Sequence, residues 1–343
     1  MSSPLFTVII PAFGRPEPLR YTLRSAAAAA RRLGPDQGEI IVVDDGSPES
    51  LETLFRDFPL DPRPVWLHQT NAGSMAARAR GLAAAKGAFI QFLDSDDLLH
   101  PDKLTAHAAA HADGADVVTC ELAEVKLDEA HACRDWRPTP RHDVPSAEVM
   151  DLWLGYQPAP HCITYRRTWL QDALSTPRVA PLRAMDPSGD VWLYYNLLEA
   201  APPRHHHLAS GLAAIGPHPE TRYSQHWENL GAASLLIAEK WIAAEATRPS
   251  PPRARIAVGC SAFTTWRGLP TDFSPALKAR WLEVWRRSGS PRPRLGRLTP
   301  LARFLGPVLA TRVMNRLKPR PYSSCRTLDE AALERLLSTL PPP

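Results

Sequence analysis

Short apolar runs alternate with helical stretches through the first third of the chain. Leu5–Ile10, "LFTVII", is β-branched and closed by Pro11, a pattern that predicts a buried strand. The following "PLRYTLRSAAAAARRL" is rich in Ala, Leu and Arg and stops at Gly34-Pro35, which predicts a helix. Glu39–Ser47, "EIIVVDDGS", predicts a second strand running into acidic and glycine residues, and Pro64–Gln69 a third. Ala72–Gly87 predicts a helix with a glycine stop, and "AFIQFL" a fourth strand. Strands alternating with helices call for an α/β fold, a mostly parallel sheet flanked by helices. In such sheets ligands bind beyond the carboxyl ends of the strands. Here those ends carry Pro11–Arg15, Asp44–Ser47 and Asp94–Asp97.

The last of these loops poses the chemical question. In "FIQFLDSDDLL" an apolar run ends in Asp94, Asp96 and Asp97. Like charges that close repel, so a cation or a donor-rich ligand is expected to meet them. An acidic turn before a helix N-terminus is the plainer alternative. The first strand is followed by "PAFGRP" rather than G-x-G-x-x-G, and no Walker A sequence occurs, so a dinucleotide site and a P-loop are excluded. A nucleotide bound here needs its phosphates neutralised by another route. A hard divalent cation, Mg²⁺ or Mn²⁺, on carboxylate oxygens supplies one.

Four segments in order, "FTVIIPAFGR", "EIIVVDDGSPES", "QTNAGSMAARARGLAAAKG" and "FIQFLDSDDLLHPDKL", resemble the nucleotide-sugar domain of inverting GT-A glycosyltransferases, the large family 2. The resemblance is close over residues 5–125, looser to about residue 230 and absent beyond. It implies a GT-A, Rossmann-like sheet over residues 1–125 that binds the donor. Residues 126–235 would bind the acceptor and carry the base, and residues 236–343 would form a basic, mainly helical extension. It implies that Pro11, Ala12, Phe13 and Arg15 line the donor loop and that Asp45 accepts a hydrogen bond from the base. Arg78 would lie near the nucleotide, Asp94 toward ribose or metal, Ser95 among the donor-binding residues, and Asp96 on the metal, with Asp97 in support. The base is expected at a helix start, which points to Asp190 in "MDPSGDVWLYYNLLEA". Gly189 stands where an acid is usual, Asp186 is a rival, and an N-cap role for Asp190 stays open. His226, in "TRYSQHWENL", would add a metal or diphosphate contact. Gly14 and Ala79 replace frequent asparagines.

The resemblance implies a sugar transferred from a nucleotide-diphosphate donor, UDP favoured, to a glycan or lipid-linked acceptor. Two other classes remain: a nucleotide-sugar-binding protein without a working base, and an Asp-nucleophile phosphohydrolase at "FLDSDD".

Composition adds three things. The cysteines, five in number and scattered, fit neither a disulfide framework nor a zinc site. With no membrane-length apolar run and no leader pattern, a cytoplasmic location is expected. Residues 251–343 hold 17 Lys/Arg against 5 Asp/Glu, whereas residues 1–250 hold 23 against 31. That asymmetry suggests an anionic partner for the tail: an anionic membrane surface on the inner face is one expectation, and a solvated basic tail or a partner-binding arm are the alternatives. Pro300 and Pro307 are expected to interrupt a single long helix there. Nucleic acid is not expected, since no binding motif accompanies the charge. The consecutive His205, His206 and His207, on alternate faces of a strand, cannot share one ion. Arg134–Ser146 reads as an irregular link.

Overall fold

The computed structural model describes residues 3–127, 133–139, 151–216, 226–293 and 299–341. The chain forms two compact units, Met1–Val149 with Tyr156–Pro177 and Ala200–Glu220, and Met150–Gly155 with Arg178–Glu199 and Thr221–Pro343.

The first unit is built on one sheet. Its elements are β1 (Phe6–Ala12), α1 (Pro16–Leu33), β2 (Gly38–Asp44), α2 (Leu51–Leu54), β3 (Val65–His68), α3 (Ser74–Ala84), β4 (Phe89–Phe92), β5 (Asp97–Leu99), α4 (Lys103–Ala112), β6 (Val117–Leu127), β7 (Cys133–Thr139), β8 (Ile163–Arg166), α5 (Arg167–Leu174) and β9 (His205–Ile215). Strand order is β3-β2-β1-β4-β8-β6-β9-β5, with β7 on β6. The first four strands pair in parallel, as the alternation requires. Beyond β4 the sheet is mixed, because β8 returns antiparallel between β4 and β6. The α1 face against the sheet is Leu19, Leu23, Ala26, Ala27 and Ala30, all buried. Alanine there permits close approach: a Cβ at Gly38 would lie 2.5 Å from that of Ala30.

Two expectations are corrected here. β1 runs on through Pro11 to Ala12 rather than closing at the proline. Ile9 accepts its bond from Leu93 at the end of β4, so Pro11, two residues on, faces a position that β4 no longer occupies. The missing N–H therefore breaks no ladder bond. Arg134–Thr139, expected to belong to an irregular link, falls in strand β7, antiparallel to β6. Its sheet-edge place tolerates Pro138. The rest of that link lies outside the described residues.

Behind the sheet, α4 buries a polar cluster. Lys103 Nζ lies 3.1 Å from His107 Nε2 and 3.3 Å from Cys120 Sγ. Thr164 Oγ1 meets His107 Nδ1 at 2.7 Å and His111 Nε2 at 2.8 Å. On β9, His205 and His207 both reach Thr119 from one face, at 2.8 and 2.9 Å, as strand alternation predicts. Burial, with the Lys103 charge, lowers the His107 pKa to about 3. Burial lowers His111 to about 4 and, with the neighbouring histidines, His205 to about 4. A depressed histidine leaves stability intact above its ordinary value of 6.5 and loses it as pH falls toward the folded value. Folding stability is therefore expected to drop by a few kcal/mol, in order of magnitude, on acidification from neutrality toward pH ~5. Urea denaturation across that interval checks this, and an unchanged midpoint would contradict it.

The second unit is helical: α6 (Gly189–Leu197), α7 (Trp227–Ala243), α8 (Pro252–Gly268), α9 (Pro275–Arg287), α10 (Thr299–Leu317) and α11 (Glu330–Thr339). Fully buried Arg178 centres one layer, donating to Glu199, to Glu245 at 2.6 Å and to the Trp241 carbonyl at 2.9 Å. Arg280 grips Glu239 through two bonds of 2.7 and 2.6 Å, joining α9 to α7. Glu228 of α7 accepts from Tyr322 Oη at 2.8 Å and from Thr327 N at 2.9 Å, which fastens the chain after α10. Pro300 does not interrupt α10. It lies in the first turn, where its missing N–H has no helical partner to lose. The kink falls at Gly306 (φ 74°), directly before Pro307.

Candidate functional site

The polar loops at the carboxyl ends of β1, β2 and β4 are tied together in the first unit. After β1 the backbone enters the left-handed region at Gly14 (φ 59°) and Arg15 (φ 53°). That turn sends Gly14 N to Ser47 Oγ at 2.8 Å and Arg15 Nη1 to Asp96 Oδ2 at 3.2 Å. After β2 the two aspartates divide their work. Asp44 accepts from Ser47 N at 2.9 Å and from Leu51 N at 3.2 Å, shaping the turn into α2. Asp45 Oδ1 accepts from Gln69 Nε2 at 2.7 Å and Ala72 N at 2.8 Å, and Oδ2 from Gly73 N at 2.8 Å. Asp45 thus anchors the loop that opens α3. Gly46 (φ 80°) is required there, since a Cβ would come within 2.7 Å of Asn71 N.

The acidic run divides in the same way. Asp94 Oδ1 accepts from Arg78 Nη2 at 2.5 Å, and Asp96 pairs with Arg15. Asp97 turns inward instead: it is buried, and its Oδ2 lies 2.7 Å from His161 Nδ1. Its N–H donates to Asp94 O at 3.0 Å, its carbonyl accepts from Thr22 Oγ1 at 2.9 Å and its Oδ1 accepts from Gly216 N at 3.3 Å. Gly216 packs so near the turn that a Cβ would meet Asp96 O at 2.0 Å. Two carboxylates, Asp94 and Asp96, are therefore presented with arginines, while the third is the internal anchor of their turn.

Burial alone would lower the His161 pKa, but the charge and hydrogen bond of Asp97, with Asp94 behind it, outweigh burial and raise it. The pair contributes stability that is complete below the ordinary value of 6.5 and is lost as pH rises through the raised one. The same denaturation series, continued to alkaline pH, reads this opposite limb.

Of the residues singled out from sequence, Pro11, Ala12, Phe13, Arg15, Asp45, Arg78, Asp94, Ser95 and Asp96 all lie in the first unit, at the end of β1, in these loops or on the helix beside them. Pro11 and Ala12 are buried and Phe13 is half exposed. Asp190 and His226 lie in the second unit. Asp190 sits in the first turn of α6, where Ser188 takes the N-cap position, so it is not itself the cap. Ser188 ties that helix start to α7, donating to Leu230 O at 3.0 Å and accepting from Ser234 Oγ at 3.1 Å. Asp186 lies in the 3-10 turn Arg183–Ser188 just before. His226 immediately precedes α7. Residues 221–225 of the stretch around it lie outside the described residues.

Sequence reasoning missed His161, Gly216 and the anchoring role of Gln69. Gln69 begins a recognised segment, but His161 and Gly216 carry no sequence signal, since their roles exist only through distant contacts.

Among the described residues no group of three or more His, Cys, Asp or Glu could hold a metal ion by itself. The oxygen donors of Asp94 and Asp96 nevertheless suit a hard cation that completes its shell with water and substrate phosphate.

Residues 7–174 match the family described as Glycosyl transferase family 2. The Bacillus subtilis putative glycosyltransferase EpsH is 32% identical over 124 residues, 36% of this chain and 35% of that protein. The Escherichia coli uncharacterized glycosyltransferase YibD is 36% identical over 84 residues, 24% of each chain. Aligned lengths are thus about a third or less of these curated relatives. Residues 1–349 of TarS from S. aureus, solved also with UDP-GlcNAc, superpose with a TM-score of 0.55 at 19% identity, covering 82% of this chain and 79% of that one. The Pyrobaculum calidifontis mannosyltransferase PcManGT, solved with GDP-Man and Mn²⁺, gives 0.53 at 14% identity, covering 98% and 87%. These structures share the fold.

Proposed function

Residues 7–174 are a Glycosyl transferase family 2 domain, and on that premise we propose that the chain is a metal-dependent inverting glycosyltransferase. In this reading it moves a sugar from a nucleotide-diphosphate donor, UDP-linked by preference, to a hydroxyl of a glycan or lipid-linked acceptor. The observation that carries the reading is the presentation of Asp94 and Asp96 beyond parallel strands, each paired with an arginine. Carboxylates and guanidinium groups on one loop edge suit a diphosphate and a hard cation together.

Asp96 would hold Mn²⁺ or Mg²⁺, and Asp94 the same cation or the ribose. When bound, the cation supplies Lewis-acid stabilisation of the departing diphosphate. Arg15 and Arg78 would turn from the carboxylates toward phosphate oxygens. Phe13, half exposed, would offer a flat face to the base. Asp45 already accepts three hydrogen bonds, so of its roughly four acceptor positions one remains on Oδ2 for the base. Ser95 would add a hydroxyl near the ribose. Asp190 would take the proton from the acceptor hydroxyl as general base.

The test is nucleoside-diphosphate release from a panel of UDP-, dTDP- and GDP-sugars, with Mn²⁺, Mg²⁺ or EDTA. The expected result is release from one donor class that EDTA abolishes. Binding without release, even with acceptors supplied, would favour a nucleotide-sugar-binding protein. Failure to bind any donor would overturn the reading.

A further inference from the structure

Helix α10 carries an outer surface that nothing in the proposed reaction uses. After its kink, Ala310 and Thr311 are buried, and Thr311 Oγ1 bonds back to Pro307 O at 2.8 Å. The other side is open. Leu309 is 49% exposed and Leu317 70%, and Arg312 and Arg316 are exposed beside them. Before the kink, Phe304 is 89% exposed and Leu305 40%, next to exposed Arg303. Leu309, Arg312 and Arg316 stand three and four residues apart, so they share one face. Single exposed apolar side chains are ordinary, but four of the nine large ones exposed among the described residues fall within these fourteen positions. From Glu283 to Asp329 the chain has eleven Lys or Arg and no acid between.

We propose that α10 is a docking surface for an anionic lipid bilayer, lying in the interface with Phe304, Leu305, Leu309 and Leu317 inserted and Arg303, Arg312 and Arg316 on the headgroups. The combination selects this partner. A polyanion such as nucleic acid would satisfy the arginines but leave Phe304 and the leucines in water. An apolar protein groove would take the leucines and strand the arginines without counter-charge. The boundary of an anionic bilayer offers acyl chains and negative headgroups within one side-chain length, which matches apolar and arginine side chains set along one open surface. Among the described residues no helix is long and apolar enough to cross a membrane, so the contact is peripheral. The kink suits this, since each half of the helix can settle its own apolar side chains. The inference rests on the α10 surface alone, and its test reads binding rather than turnover.

The experiment is cosedimentation of the full chain with vesicles of phosphatidylcholine, with and without phosphatidylglycerol. The expected result is binding to the anionic vesicles only, reversed by high salt. Arg312→Gln with Arg316→Gln should weaken it about tenfold or more. Phe304→Ser should weaken it by a similar factor, about tenfold. Because these side chains are exposed, thermal midpoints should stay unchanged, which separates lost docking from lost folding. Absence of binding to anionic vesicles overturns the proposal. So does binding that survives all three substitutions, or a self-associating chain that Phe304→Ser renders monomeric without any vesicle binding.

Discussion

Replacing Asp96 with alanine is expected to lower metal-dependent nucleoside-diphosphate release by about a thousandfold or more, with little change in thermal stability. The size follows from what the carboxylate would do, which is to hold the cation against the leaving diphosphate, an effect worth several kcal/mol. Stability should hold because the Arg15–Asp96 pair is partly solvated, with side chains 34% and 16% exposed. Ion pairs of that kind contribute about 0–1 kcal/mol. Asp96→Asn is the sharper control: it keeps the shape and an acceptor for Arg15 but removes the charge, and it should fall as far as the alanine. Asp97→Asn, one residue on, should behave in the opposite manner. Its carboxylate faces buried His161, so the expected loss is chiefly in folding stability. Retention of release within tenfold of wild type by Asp96→Ala would remove the metal assignment.

The second large effect is expected at Asp190. Asp190→Asn should lower turnover about 10²–10⁴-fold while donor affinity stays near wild type, because a general base acts on the acceptor proton and not on the nucleotide. Folding should survive, since the start of α6 is fastened by Ser188 to Leu230 and Ser234 rather than by Asp190 as its cap. Asp186→Asn, in the preceding 3-10 turn, is the comparison. A larger loss at Asp186 would transfer the role there. Unchanged turnover in both would leave the fold with a nucleotide-sugar site and no identified base. Isothermal titration with the donor alongside steady-state rates separates these outcomes.

Some of the site was legible before any coordinates. The parallel core was, because each of β1, β2 and β4 is a short apolar run that ends in polar residues, and a buried parallel strand has few other sequences to choose from. That placed Arg15, Asp45 and Asp94 at the correct strand ends. The pairings among them were not legible. Arg15–Asp96 and Thr22–Asp97 join residues 81 and 75 positions apart, and no local pattern specifies such partners. Pro11 misled because the rule against proline in strands concerns a neighbour to bond, and the sequence does not tell that β4 stops at Phe92. Strand β7 was hidden for a related reason: an edge strand buries little, so its "CRDWRPT" lacks the apolar signature of the others.

The sequence by itself determined the alternating architecture, the family of the first half and the order in which its polar loops arrive at one edge. These depend on hydrophobic period and on local turn chemistry, both written in neighbouring residues. Only the tertiary structure decided what each carboxylate does. Asp94 and Asp96 are the same residue type as Asp97, one or a few positions away, yet the chain turns the first two toward arginines and the third toward a buried histidine. Asp97 begins β5, and its inward side chain is held by His161 and by Gly216 N, contacts that exist only in the folded chain. Such long-range contacts fix side-chain direction, and side-chain direction separates the arginine-paired aspartates from the structural one.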